Sequence, residues 1–233
     1  ATLPANGTLS GGLPNLTYTP ASGYTGSDAF TFVANDGTVN SALATVSITV
    51  NPSGPVTVFE DNFESNKGWT RNPSGTDTAT LGLWERANPE EVTYNGSKQL
   101  GTTASGSYDL VTGPLAGSSA GSYDIDGGIT SIRSPSFALP AGKTPTLTFK
   151  YYMAHASNSS SSDYLRVKVV GATTTTVLQE LGATNDDDAA WASFSGSLGT
   201  YAGQTVYLLI EAADASGASL VEAAIDDVKV VAQ

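Results

Sequence analysis

Carboxylates gather at both ends of the long carboxy-terminal part of this chain. The stretch "VFEDNFESNKGW" (58–69) sets Glu60, Asp61 and Glu64 within five residues at the start of an apparent β-strand, and "AAIDDVKVVAQ" ends the chain with Asp226 and Asp227. In a two-sheet sandwich the first and last strands commonly pair, which places these ends side by side, and carboxylates packed together repel unless a cation lies between them. Oxygen ligands without His or Cys select a hard ion, and calcium is the one a secreted protein meets. The side-chain ligands expected are Asp61, Glu64 and Asp226. Glu60 and Asp227 follow with less claim, because neighbours on a strand point to opposite faces. The other reading of the same acids is an edge strand kept soluble by charge.

Two more acidic groups have chemistry open to them. In "SYDIDGGITSIRSP" Asp124 and Asp126 stand two apart before Gly127 and Gly128, a spacing that lets a turn wrap oxygens round an ion, or simply forms an Asx-rich turn. The closing acid of an EF-hand loop is missing. The run Asp186, Asp187 and Asp188 in "TNDDDAAW" reads first as a solvated loop, with metal binding as its alternative. Among the aromatics, Trp69 and Trp191 follow turns and enter apolar runs, so they are expected in the core. Trp84, in the polar "GLWERANPE", is the expected ligand contact. Chemistry of an enzymatic kind has little to work with. There is one histidine, His155, no cysteine, and no G-x-S-x-G, H-E-x-x-H or phosphate-cradling loop, so the chain reads as non-catalytic.

The elements that must position these residues are strands. Of 233 residues 25 are Gly and only 14% are charged, a composition that suits short strands and tight turns. With 22 acids against 10 bases the net charge is −12, which argues against nucleic acid as a partner. No apolar run approaches a bilayer span, so no membrane insertion is expected.

Residues 1–51 hold no Lys or Arg and only two acids, Asp28 and Asp36, whereas every base lies beyond them. That shift, with the Pro- and Gly-containing "NPSGP", divides the chain into a module over 1–51, a linker over 52–56 and a domain over 57–233. In the first module "LTYTP", "DAFTFVAND" and "SALATVSITV" read as an antiparallel meander, with Ala44, Val46, Ile48 and Val50 alternating with polar residues and an Asn-Asp-Gly turn before the last strand. In the second, "VTVFEDNF", "TSIRSPSFAL", "PTLTFKYYMAH", "DYLRVKVVG", "TTTTVLQEL", "TVYLLIEAA" and "SLVEAAIDDVKVV" read as strands of a jelly-roll β-sandwich. Residues 70–128 show weak patterning and long Gly- and Ser-rich loops, the kind that carry sites.

Two resemblances attach to these stretches. "LTYTPASGYTGSDAFTFVANDGTVNSALATVSITVN" resembles the second half of the immunoglobulin-like or cadherin-like repeats of bacterial secreted and surface proteins. A segment so short buries little apolar surface, so the resemblance implies a fragment, or a sheet completed by a strand from a partner. Residues 58–231, through "DNFESNKGWTRNPSGTDTATLGLWERANPE", "YYMAHASNSSSSDYLRVKVVG" and "IDDVKV", are similar to the carboxy-terminal accessory domain of secreted bacterial zinc carboxypeptidases. The "DNFE" opening and "IDDV" ending also resemble MAM and carbohydrate-binding jelly rolls, in which a structural calcium ion lies between the terminal strands; this implies Asp61, Glu64 and Asp226 as its ligands. Together they imply a non-catalytic, calcium-stabilised binding or spacer module of a secreted or cell-surface bacterial protein. Extracellular polysaccharide, a protein substrate or further copies of the chain are the partners expected, and a carbohydrate-binding module or a self-assembling surface subunit are the alternative functions.

Overall fold

The computed structural model describes residues 1–51, 54–215 and 217–233. Pro52 and Ser53 of the expected linker lie outside the described residues. The chain is all-β and falls into two compact units, Ala1–Gly54 and Pro55–Gln233.

The first unit contains β1 (Gly7–Gly12), β2 (Asn15–Pro20), β3 (Gly26–Phe32) and β4 (Ala44–Val50), paired antiparallel as β1 with β2 and β3 with β4. The expected meander is therefore two hairpin-like pairs. β1 is a strand that its Gly-rich sequence hid, because glycine has no side chain to show alternation. Alternation on β4 is as expected, with Ala44, Val46, Ile48 and Val50 half-buried and the residues between them exposed. Asp36 closes the turn before β4 by accepting hydrogen bonds from the Thr38 and Val39 N–H groups, which leaves Gly37 at φ 102°. The buried anchor of this unit is Asp28, whose carboxylate accepts the N–H groups of Ala5, Asn6 and Ala29 and the Tyr18 hydroxyl. Burial pushes its carboxyl up, and these four bonds together outweigh burial and hold it below the ordinary range.

The second unit is a two-sheet sandwich. In chain order it runs β5 (Val56–Asp61), β6 (Thr70–Arg71), β7 (Trp84–Ala87), β8 (Val92–Thr93), β9 (Ser97–Gln99), β10 (Asp109–Thr112), β11 (Gly128–Arg133) and β12 (Phe137–Ala138). It continues with β13 (Pro145–His155), β14 (Tyr164–Val170), β15 (Thr174–Leu181), β16 (Ala192–Ser197), β17 (Thr205–Asp214) and β18 (Val221–Ala232). One sheet has the order β16-β13-β18-β10-β7, with β5 also on β18; the other has β15-β14-β17-β11-β6, with β12 also on β17. Leu147, Phe149, Ile225, Val228 and Val230 from the first sheet meet Leu165, Val167, Val169, Leu208 and Ile210 from the second in one buried cluster. Arg166 and Lys168 point outward to Gln179 and Glu211, as the alternation of β14 requires.

The terminal strands do pair, antiparallel, with Asp61 opposite Val228 and Glu60 opposite Lys229. The outer edge of β18 is shared by two partners, since β10 covers Ala224 and Ile225 whereas β5 covers Val228 to Ala232. Between them β18 carries a bulge. Thr148 faces Lys229 and Lys150 faces Asp226, so Asp227 and Val228 share one residue of β13, and Asp227 takes φ 51°. The bulge lets Ile225 and Val228 both enter the core although they are three apart.

Candidate metal centre

The bulge decides where the terminal acids go. Asp61 lies opposite Val228 and so shares its inward face, where its carboxylate accepts the Phe63 N–H at 2.9 Å and the Trp69 indole N–H at 2.8 Å. Asp226 precedes the bulge next to inward-facing Ile225 and turns to the other face. The structure thus pairs the two strands and separates these two carboxylates. Glu60 lies on the exposed edge, 3.6 Å from Lys229 Nζ.

What gathers around Asp226 is the loop 103–108, which fills the gap where β10 gives way to β5. Ser105 donates its N–H to Asp226 at 2.9 Å and its hydroxyl to Asp227 at 2.6 Å. Two residues on, the Ser107 and Tyr108 N–H groups both donate to Glu64 Oε1 at 2.8 Å, and these bonds hold the Glu64 carboxyl below its ordinary range. Of the expected ligands, Glu64, Asp226 and Asp227 therefore meet on one loop, whereas Asp61 and Glu60 do not join them.

The same loop delivers Asp109, a residue no sequence motif marked. Its side chain is fully buried on β10, and neither carboxylate oxygen has a hydrogen-bond partner. Burial, and next the charge of Asp226, push its carboxyl up to about 8; burial likewise carries Asp226 to about 6. An unpaired carboxylate in such a place is strongly disfavoured. Among the described residues no three Asp, Glu, His or Cys side chains are closed up tightly enough to hold a metal ion by themselves. A hard cation between Asp109 and Asp226 would therefore complete its shell with backbone carbonyls or water, which calcium sites do routinely.

Asp124 and Asp126 form a second acidic group with Asp214 and Glu222. Asp124 is buried, accepts the Val221 N–H at 3.3 Å, and is carried up to about 7 by burial and then by Asp126. Glu222 is pushed well above its ordinary range by burial and then by Asp124, and accepts the Thr112 hydroxyl at 3.2 Å. Asp214 is spent on the Ser219 N–H and hydroxyl. The third group has a structural use: Lys98, whose side chain is fully buried, donates to Asp188 Oδ1 at 2.8 Å and to the Asp187 carbonyl at 3.1 Å.

Trp84 corrects an expectation. It is 0% exposed and belongs to the central cluster, because β7, on which it lies opposite Thr112, turns it inward, so it is no surface contact for a ligand. Trp69 and Trp191 are half-buried, packed respectively on the central cluster and on the smaller one around Tyr152. His155 is buried at the end of β13 with Nδ1 3.2 Å from the Ala156 carbonyl.

Comparison with known proteins bears first on the amino-terminal unit. Residues 1–49 match the bacterial Ig domain family. No curated protein matches the chain. Among solved structures, the K3 cleaved adhesin domain of Lys-gingipain from Porphyromonas gingivalis is 16% identical, with a TM-score of 0.47 over 76% of this chain and 99% of that one. The CBM22-1 xylan-binding domain from Paenibacillus barcinonensis Xyn10C is 12% identical, with a TM-score of 0.41 over 76% and 94%. The match to the bacterial Ig domain agrees with the resemblance read in "LTYTPASGYTGSDAFTFVANDG", whereas the likeness to peptidase accessory domains rests on the sequence stretches alone.

Proposed function

We propose that the chain is a non-catalytic, calcium-stabilised binding or spacer module of a secreted or surface-attached multidomain bacterial protein. The observation that carries this reading is the buried, unpartnered Asp109 carboxylate beside Asp226, beneath a loop that Glu64 and Asp227 hold in place. A calcium ion there would be held by Asp109 and Asp226, with Glu64 and Asp227 fixing the loop 103–108 around it. Its contribution is charge neutralisation, which lets β10, β5 and the bulge of β18 meet without like-charge repulsion. Asp61 has a different part, that of locking Trp69 and the turn at Phe63. The bacterial Ig domain match over residues 1–49 supports placement in a modular protein.

Isothermal titration of chelator-treated protein with calcium tests this reading. One site per chain is expected, abolished by Asp226→Asn and retained by Asp61→Asn. Heat identical to dilution, or a site indifferent to Asp226→Asn, would contradict it.

A further inference from the structure

A cleft of about 280 Å³ lies in the second unit between β6 of one sheet and β7 of the other, near the lower bound of roughly 300 Å³ for ligand pockets and thus scaled to a single ring rather than a large molecule. Its lining sets three basic residues against two carboxylates, Asp61 and Glu85. Of the 10 Lys and Arg residues in a chain of net charge −12, Lys67, Arg71 and Arg86 line it, beside Trp69, Trp84 and Glu85. We infer that this cleft binds a carboxylate-bearing sugar residue, a uronate unit of an acidic polysaccharide. The inference does not rest on the calcium site.

The groups are set in advance of any ligand. Trp69 donates its indole N–H to Asp61 and packs against Phe59 and Phe63 with ring centroids 6.5 and 5.5 Å away, so its orientation is fixed while the ring stays partly exposed. A rigid indole face is the surface against which the C–H face of a pyranose packs, and holding it still removes an ordering cost. Arg86 is fixed twice, by donation from Nε to the Phe63 carbonyl oxygen and by its guanidinium lying 4.0 Å from the Tyr108 ring centroid. Arg71 meets Glu85 at 3.1 Å, with both side chains about half exposed. Such a surface pair is weakly held, and a ligand carboxylate can take the place of Glu85 in the planar two-pronged geometry that guanidinium favours. A fixed flat ring beside clustered cations suits an anionic sugar better than a neutral one, and better than an acidic peptide, which has no use for the indole face.

The test is calorimetric titration of the full chain with trigalacturonate, with the neutral xylotriose and galactotriose, and with a short poly-glutamate peptide, all at one fixed free calcium concentration. Trigalacturonate is expected to bind, and Arg71→Ala, an exposed position that leaves the core intact, is expected to weaken it about tenfold or more. Trp69→Ala is expected to remove binding; should that variant not fold, the Arg71→Ala result decides alone. Absence of trigalacturonate binding, equal affinity in Arg71→Ala, or equal or tighter binding of a neutral trisaccharide would overturn the inference. Tighter binding of poly-glutamate would also overturn it, in favour of an acidic protein partner.

Discussion

Asp61 and Asp109 are both buried aspartates on strands that pair with β18, and they make opposite predictions. Asp61 spends its two oxygens on the Phe63 amide and the Trp69 indole, so Asp61→Asn should destabilise the fold by about 1–3 kcal/mol to the same extent with calcium or chelator, as read by urea unfolding. Asp109 has no partner, and its replacement by Asn should destabilise the fold only when calcium is present. Trp84, placed by its polar neighbours at the surface, sits wholly inside; Trp84→Ala should therefore cost about 3–5 kcal/mol, seen as a lowered urea midpoint. The sequence shows why one aspartate was legible and the other was not. Asp61 stands in a conspicuous acidic run, but its direction depends on the bulge at Asp227, which no local pattern announces. Asp109 stands alone in "SYDLVT", and its meaning arises only when β10 lies next to Asp226.

At the scale of elements, the strands that alternate were readable and those that do not were missed. β14 and the first half of β13 show a period of two and match their expected spans closely, whereas β10 is buried at all four positions and so carries no alternation to detect. The short strands β7, β8 and β9 fall in the stretch read as loops, and β7 pairs with β10 so that Ala87 lies opposite Asp109. In the amino-terminal unit Asp28 ties the entry segment at Ala5 and Asn6 to β3, which makes this pairing sensitive to acid. Its carboxyl is held below the unfolded value, so its stabilising contribution is present above the ordinary carboxylate pKa of about 4 and is lost as pH falls through the lower folded value. Protection of the Asn6 amide, its exchange relative to the intrinsic rate at the same pH, should fall across that acidic window in the native protein, and Asp28→Asn should leave it low throughout. Protection at Asn6 unchanged by Asp28→Asn would show that backbone pairing alone holds the segment.

For the whole molecule, the division of charge matches a division of construction. The Ala1–Gly54 unit lacks bases altogether and, among the described residues, contributes none to the buried hydrophobic clusters, whereas the Pro55–Gln233 unit holds those clusters and 20 of the 22 acids. On the reading proposed above, ionising the buried Asp109 beside Asp226 opposes folding of that second unit, and a bound cation relieves that cost. The measurement that tests this most directly is calorimetric unfolding of the native chain and of Asp109→Asn, each with excess calcium and with chelator. Calcium binding to the native state should raise the transition of the second unit by several degrees, since a ligand at about a hundred times its dissociation constant adds about 2.7 kcal/mol. In Asp109→Asn that increment should vanish, while the midpoint in chelator equals or exceeds that of the native chain. A native midpoint identical with calcium and with chelator, or an increment undiminished in Asp109→Asn, would contradict the account.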